Sequence, residues 1–359
     1  MTSQKQLIIL IVITVSLISF LAGYLLVQPS GPSTDVLQQQ RGALIDRFSG
    51  INGSTPTPLP PGLLQASTDA TLAPTNAPDG NAILYYHLTS GHVSKLELET
   101  RTSTLVSTAQ LPNLTGVTWS PNKNQVITVF RSSTGPIYKY FDYTSRKNGS
   151  LGVNIKDAIF SPNSQRVAIV RSAGGDSVIE ITDLAGKNGK TILKTRLNNI
   201  KLSWPNNDYL SFIANDADSG SQSLYIISED GNLRQLLGGE DDLAVRWSPD
   251  GTKFLYSIQK NEEAELRVFD VASRQSQPLP VNTLANTCAW SLDQRSIICA
   301  IENQGQTSIH QVVLAGMTTK ILFSNPIISA KEVFLSHLED FLVIISASDQ
   351  SVWALKLTD

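Results

Sequence analysis

The sequence has few of the residues that build metal centres or nucleic-acid surfaces. Only 4 His and 2 Cys occur among 359 residues, so a Cys/His metal cluster cannot be assembled, and we expect neither a metal nor a cofactor. The 28 Lys and Arg residues are balanced by 31 Asp and Glu, which argues against a nucleic-acid partner because such proteins carry a basic surplus. Charged residues make up 16% of the chain. This scarcity favours a sheet-rich fold whose solvent faces carry Ser, Thr and Asn.

Motifs of the common catalytic sites are also missing from the sequence. There is no G-x-S-x-G nucleophile elbow, no HExxH zinc motif, no P-loop and no G-x-G-x-x-G at a strand–helix junction. His87 and His92 flank a hairpin at Gly91, where we expect solvated histidines rather than a metal pair. We therefore predict a protein that is not an enzyme.

One long hydrophobic run lies near the N-terminus. Residues 7–27, LIILIVITVSLISFLAGYLLV, contain no charged residue, and a helix of this length matches a bilayer core of about 30 Å. A cleaved signal peptide is the alternative, but its apolar region is usually only about 7–15 residues long. We expect an uncleaved single-pass anchor in the cell membrane. Residues 1–6 would form a cytoplasmic tail, and the rest of the chain would be extracytoplasmic, in the periplasm or at the cell surface.

Residues 28–66 have the composition of a stalk between a membrane and a folded domain. Thr34–Phe48 can form a short juxtamembrane helix, and the sequence that follows is rich in Pro, Ser, Thr and Gly. Such a segment cannot bury enough apolar surface to fold, and its prolines keep it extended. We expect the folded domain to occupy residues 67–359.

The folded domain repeats one unit six times, at intervals of 41 to 44 residues. In the clearest copy, AVRWSPDGTKFLYSI, an apolar run ends in Trp247, turns at Asp250-Gly251 and resumes. Gly is suited to this turn because it adopts a positive φ without steric cost. Each unit has an aromatic anchor that we expect to plug the space between neighbouring sheets: Trp119, Phe160, Trp204, Trp247, Trp290 and Phe334.

The period indicates the architecture, because about 40–45 residues with four strands per unit are typical of a propeller blade. A degenerate seventh unit lies upstream, with its first strand near Ala70–Thr75. The last unit has only three strands, so its outer strand would come from N-terminal sequence such as Gly62–Ser67. We predict an all-β, seven-bladed β-propeller closed in this way, with six or eight blades as the alternatives.

The W-S-P-D-G unit of Trp247, together with strands such as SLYIISEDGNLRQL, resembles the repeat of TolB-type, WD-repeat-like propellers. The resemblance covers residues 77–359, although only the Trp247 unit has the full motif. It implies a propeller fold but does not imply the translocation role of TolB. TolB proteins carry a separate α/β domain before the propeller, whereas here the predicted anchor and stalk precede it.

Acidic residues cluster in the loops of two adjacent units. In a four-stranded blade, the loops between the second and third strands lie on the same face as the links between blades. This placement predicts an acidic face that binds a cation or a basic partner surface, with a solvated rim as the alternative. The acidic face comprises Asp216, Asp218, Glu240, Asp241, Asp242, Glu262, Glu263 and Glu265.

The repeat alignment places Cys288 and Cys299 symmetrically around the turn at Asp293-Gln294. Directly opposed residues on antiparallel strands have Cα atoms about 4.5 or 5.5 Å apart, within the range that a disulfide spans. We predict a disulfide between them, with two apolar core thiols as the alternative. Because disulfides persist outside the reducing cytosol, this pair agrees with the predicted extracytoplasmic location.

These features favour a membrane-tethered, non-catalytic binding or protein-interaction scaffold. Its partner would be another protein or a component of the cell envelope. One alternative is a lyase or hydrolase that uses the central funnel, but the inner strands carry few Asp, Glu, His or Arg residues. The other alternative is a structural subunit of a cell-surface or secretion complex.

Overall fold

The computed structural model describes residues 62–216, 219–260, 263–303, 306–326 and 328–357. The predicted tail, the predicted span at residues 7–27 and nearly all of the predicted stalk lie outside the described residues. Within the described part of the chain, no helix is long and apolar enough to cross a membrane.

The described residues form 28 strands in seven four-stranded antiparallel sheets, which are the blades of a propeller. Blade 1 contains β2 (Thr71–Asn76), β3 (Ala82–His87), β4 (Val93–Glu97) and β5 (Thr102–Ser107). Blade 2 contains β6 (Leu114–Trp119), β7 (Gln125–Phe130), β8 (Ile137–Asp142) and β9 (Asn148–Ser150). Blade 3 contains β10 (Ile155–Phe160), β11 (Arg166–Ala173), β12 (Asp176–Asp183) and β13 (Lys190–Thr195).

The next three blades follow in chain order. Blade 4 contains β14 (Asn198–Ser203), β15 (Leu210–Asn215), β16 (Gln222–Ile227) and β17 (Leu233–Glu240). Blade 5 contains β18 (Ala244–Trp247), β19 (Lys253–Lys260), β20 (Glu263–Asp270) and β21 (Gln275–Pro278). A 3-10 turn (Ala285–Thr287) precedes blade 6, which contains β22 (Cys288–Trp290), β23 (Ser296–Asn303), β24 (Gln306–Val313) and β25 (Thr318–Pro326).

Blade 7 joins the two ends of the described domain. Its inner strands are β26 (Ala330–Leu335), β27 (Phe341–Ser346) and β28 (Val352–Lys356), and its outer strand is β1 (Leu63–Ser67). β1 pairs antiparallel with β28, which confirms the predicted closure by N-terminal sequence and the prediction of seven blades. The contacts that close the ring therefore depend on residues almost 300 positions apart in the chain.

The repeated turn is held by its serine. In blade 5 the Ser248 hydroxyl donates to Asp250 Oδ1 at 2.7 Å and accepts the Lys253 backbone N–H at 3.0 Å. Gly251 follows at φ 70°, and a Cβ there would lie 2.9 Å from Pro205 of blade 4. The turn thus stabilises its own hairpin and also packs closely against the preceding blade.

Where the repeat has this serine, the same hydrogen bond defines which residue is the anchor of the blade. In blade 7 the Ser336 hydroxyl accepts the Phe341 N–H at 3.0 Å, and Leu335 pairs with Leu342. Leu335, which is 8% exposed, therefore takes the anchor position that we had predicted for Phe334. Phe334 lies one residue earlier and is only partly buried against the core between blades 7 and 1. The correction arises because the turn, rather than aromatic character, sets the register.

The other five predicted anchors occupy the position as expected from the repeat. Phe160, Trp204 and Trp290 are buried, at 2%, 8% and 7% exposure. The indole N–H of Trp119 donates to the Ala73 carbonyl of blade 1 at 2.9 Å. Trp247 is partly buried, and its indole nitrogen is buried without a hydrogen-bond partner.

Candidate functional site

The best-formed part of the predicted acidic face is the link between blades 4 and 5. Glu240, Asp241 and Asp242 line an open cavity of about 530 Å³ on the loop face, the face formed by the second-to-third-strand loops and the interblade links. Asp241 and Asp242 are exposed, and Asp242 adopts φ 50°. Three amide side chains and one glycine complete the lining: Asn215, Gln222, Gln259 and Gly220. Three carboxylates and several amides therefore face one concave surface.

Gln222 anchors this link. Its side-chain Oε1 accepts the Leu243 backbone N–H at 2.7 Å, and its backbone pairs with Glu240 at the end of β17. Leu243 is itself 6% exposed and packs in the core between blades 4 and 5. The acidic residues are thus carried by a link that is fixed at both ends.

The remaining acidic residues are not all part of this cavity. Glu263 lines a second cavity of about 570 Å³, between blades 5, 6 and 7, which also contains Glu302. The Glu265 carboxylate is 2.5 Å from Arg267 Nη1, so its charge is balanced within β20. The i, i+2 spacing of this pair, which places both side chains on one face of a strand, is a signal that sequence reasoning overlooked.

The second-to-third-strand loop of blade 4 begins at Asp216. Its Oδ1 accepts the Ser219 backbone N–H at 2.9 Å, so this carboxylate stabilises its own loop. Asp218 and Glu262, which we also predicted to belong to the acidic face, lie outside the described residues. Three residues of the predicted acidic face, Glu240, Asp241 and Asp242, therefore line a common cavity in the structure. We refer to it as the acidic cavity.

The central channel contains charged groups that sequence reasoning did not single out. Arg246, on the innermost strand of blade 5, donates from Nη1 to the Asn286 carbonyl at 3.3 Å. Burial lowers the pKa of its guanidinium, and the nearby charge of Glu332 from blade 7 opposes that shift. Both residues line a cavity of about 420 Å³ at the inner ends of blades 4, 5 and 7.

Asp157 joins two blades beside the channel. Its carboxylate accepts backbone N–H groups from Leu202 of blade 4 at 2.7 Å and from Ala158 at 3.0 Å. Burial raises the pKa of Asp157, while these hydrogen bonds and the charge of Lys201 act in the opposite direction. The geometry gives Asp157 a structural role in packing blade 3 against blade 4.

The two cysteines lie in the first hairpin of blade 6. Cys288 on β22 pairs directly with Cys299 on β23, and the structure links them as a disulfide. Both are 0% exposed and belong to the core between blades 5 and 6. The disulfide therefore joins the innermost strand of blade 6 to the second strand of the same blade.

We expected the two histidines near Gly91 to be solvated, but His87 is half-buried and contacts two side chains. His87 Nε2 is 2.8 Å from the Ser94 hydroxyl, and His87 Nδ1 is 3.8 Å from Asp69 Oδ2. Asp69 also accepts the Tyr85 hydroxyl at 2.7 Å. Ser94 is 2% exposed, and the group connects the link after β1 to blade 1. Across the described residues, no group of three or more His, Cys, Asp or Glu side chains is arranged to hold a metal ion.

The fold and its repeated turn define a β-propeller with seven four-stranded blades. The family profile described as "TolB beta propeller domain" matches residues 143–329, just over half of the chain. The chain belongs to this family. No curated protein matched the sequence.

Solved structures of low sequence identity share the fold. Oligogalacturonate lyase in complex with manganese is 12% identical, with a TM-score of 0.63 over 84% of this chain and 95% of that one. Kuenenia stuttgartiensis hydrazine synthase is 13% identical, with a TM-score of 0.58 over 86% and 99%. The propeller domain of the Trilobed protease from Pyrococcus furiosus is 12% identical, with a TM-score of 0.53 over 81% and 96%. That domain has an open velcro topology, whereas β1 completes blade 7 here.

Proposed function

We propose that the propeller is a non-catalytic protein-binding module whose partner presents a basic surface to the acidic cavity. The observation that carries this proposal is the convergence of Glu240, Asp241 and Asp242 on one concave surface. Neighbouring carboxylates raise the local negative potential, which favours encounter with a positively charged partner. The amide side chains beside them supply directional hydrogen bonds. The TolB-type family and its propeller fold agree with a role in protein–protein interaction.

Changing Asp241 and Asp242 to Ala should weaken binding of the partner without unfolding the protein. Both side chains are exposed, and exposed ion pairs contribute about 0.2–1 kcal/mol each. We expect affinity to fall about 2- to 30-fold at low salt, with a smaller loss at high salt because salt screens exposed charges. The partner would first be identified by cross-linking and co-purification with the tagged full-length chain. Its affinity for the purified variants would then be measured by titration calorimetry.

The matched control is Asp208→Ala with Asp230→Ala. These two residues are exposed aspartates in hairpin turns on the opposite face of blade 4. The control should bind the partner as the wild type does. Equal affinity of both double variants and the wild type would show that the acidic cavity is a solvated rim.

The same proposal places the propeller outside the cytoplasm, tethered through residues 7–27. The uncharged run of 21 residues, the Pro- and Ser-rich sequence after it and the buried Cys288–Cys299 disulfide support this topology. A tether of this kind would hold the acidic cavity where envelope proteins can reach it.

Protease added to intact cells or spheroplasts should remove the propeller from the membrane fraction. We expect cleavage in the sequence before Gly62, because a composition rich in Pro, Ser and Thr disfavours folding and such sequences are the usual sites of proteolysis. Immunoblotting with an antibody against the propeller measures the loss, and a known cytoplasmic protein serves as the protected control. A propeller that survives while a known external protein is digested would contradict the topology.

A further inference from the structure

The space between blades 1 and 2 contains a cavity that the functional site does not use. Its volume is about 400 Å³, within the range of about 300–1,000 Å³ that is usual for small-molecule sites. We refer to it as the aromatic slot. Its walls are mostly apolar and come from both blades: Tyr86, Val93, Leu111, Val126, Phe130, Tyr140, Phe141 and Tyr143.

The slot exists because the core between these two blades is incompletely filled. The core cluster here has four buried members, Tyr86, Val93, Leu114 and Val126, whereas each of the other six clusters has at least eight. The outer strand β9 is also short, at three residues. Apolar side chains that other blades bury against each other are therefore left only partly covered, among them Phe130 and Phe141.

The aromatic walls are held in place by their own contacts. The Tyr86 and Tyr143 hydroxyls lie 2.6 Å apart across the two blades. The Tyr143 ring stacks on Trp119 at 5.9 Å and meets Phe141 edge-on at 4.9 Å. Burial raises the pKa of Tyr143, so its hydroxyl stays protonated and hydrogen-bonded at neutral pH. A preformed slot binds a ligand without a large ordering cost.

One cation lines the slot. Lys139 is exposed on β8, and its Nζ lies 5.0 Å from the centre of the Phe130 ring. An ammonium beside an aromatic face can pair with an anionic group while the ring contacts the apolar part of the same molecule. The other polar lining groups are neutral: Ser107, Thr128, Asn148 and Ser150.

We propose that the aromatic slot binds a small amphipathic anion, with an aromatic body packed between blades 1 and 2 and its carboxylate or sulfonate on Lys139. Charge complementarity with Lys139 and the aromatic walls determine this choice of ligand class. The slot involves blades 1 and 2, whereas the acidic cavity involves blades 4 and 5, so the two sites are separate. Ligand binding here is independent of the proposed protein partner.

Two fluorescent probes test the proposal on the full-length protein. The first is 8-anilinonaphthalene-1-sulfonate, and the second is N-phenyl-1-naphthylamine, which has the same aromatic body without the sulfonate. We expect both to bind with a saturable rise in fluorescence. Lys139→Met should weaken the sulfonate probe about 5-fold, the effect of losing one partly exposed ion pair, and leave the neutral probe within 2-fold of wild type. Lys320→Met, on an exposed site of blade 6, is the matched control.

A second variant fills the slot. Asn148 lines it, is exposed and pairs directly with Phe141 across β8 and β9, so its side chain lies on the slot face of the blade and Asn148→Leu should fold normally. It should lower the affinity for both probes at least 10-fold, whereas Ser324→Leu on the exposed outer strand of blade 6 should not. Circular dichroism and the unfolding midpoint verify that each variant is folded. Unchanged binding by folded Asn148→Leu, or equal loss of both probes in Lys139→Met, would overturn the proposal.

Discussion

Replacing Trp290 with Ala should lower the free energy of unfolding by about 3–5 kcal/mol, the usual cost of truncating a large buried aromatic side chain. Trp290 is 7% exposed and packs in the core between blades 5 and 6. Its indole N–H also donates to the Arg246 carbonyl of blade 5 at 3.2 Å. The substitution therefore removes an interblade plug together with an interblade hydrogen bond. Denaturant unfolding followed by tryptophan fluorescence and circular dichroism measures the change.

Phenylalanine variants at two anchors separate packing from hydrogen bonding. Trp290→Phe removes the donor to Arg246 and should cost about 1 kcal/mol more than the loss of ring volume alone. Trp247→Phe should lack that extra cost, because the Trp247 indole nitrogen has no hydrogen-bond partner in the structure. If the two phenylalanine variants were equally destabilised, the interblade hydrogen bond would contribute nothing. If Trp290→Ala unfolded at the wild-type midpoint, Trp290 would not be an interblade plug.

Replacing both Cys288 and Cys299 with Ala should lower the free energy of unfolding by about 2–3 kcal/mol, because the disulfide closes a loop with a sequence separation of 11 and its entropic effect is correspondingly small. Each single Ala variant should lose nearly as much as the double variant, since either substitution breaks the same bond. Denaturant unfolding of all three variants gives the comparison. Two single-variant losses that add up to the loss of the double variant would contradict a shared disulfide.

Mass spectrometry gives a direct measure of the same bond. Because both cysteines are 0% exposed, the protein must be unfolded before alkylation, or buried thiols would escape the reagent. Unfolded protein alkylated without reductant should carry no label, and protein reduced first should carry two. Two labels without reductant would show that the thiols are free, and the support that the disulfide lends to an extracytoplasmic location would be lost.

The blade pattern was predictable because it depends on local chemistry. The turn around Gly251 combines a residue suited to positive φ with a serine and an aspartate that satisfy its backbone, and partial versions of this combination recur at a readable period. The closing strand was predicted near Gly62–Ser67 and is found at Leu63–Ser67. It could be inferred because the last unit has three strands and an unpaired edge would otherwise remain.

The exact anchor of blade 7 was not predictable from hydrophobicity. Phe334 and Leu335 are both apolar, and only the Ser336 hydrogen bond to Phe341 shows which of them takes the repeat position. A shift of one residue moves every side chain to the other face of a strand. The alignment was wrong by only one residue, but that residue determines which side chain faces the neighbouring blade.

The candidate sites were predictable only to the level of the face on which they lie. Alternation of strands and loops placed Glu240, Asp241 and Asp242 on the loop face, but their common cavity with Gln222 and Gln259 depends on how two blades meet. The aromatic slot was not predictable at all. Tyr86 and Tyr143 are 57 positions apart, and nothing in the repeat indicates that the core between their blades is underfilled.

The sequence by itself determined the blade period, the turn chemistry and the opposed cysteines, because each of these depends on residues within one hairpin or one repeat. Only the tertiary structure shows where the concave surfaces form, that Arg246 and Glu332 bring charge to the channel, and that a slot lies beside Lys139. The physical reason is that a propeller buries its apolar area between blades, where side-chain volumes from two repeats must fit together. A repeat pattern predicts that neighbouring blades pack against each other. It does not predict which cavities stay unfilled between them, because those cavities depend on side chains from two blades of the assembled ring.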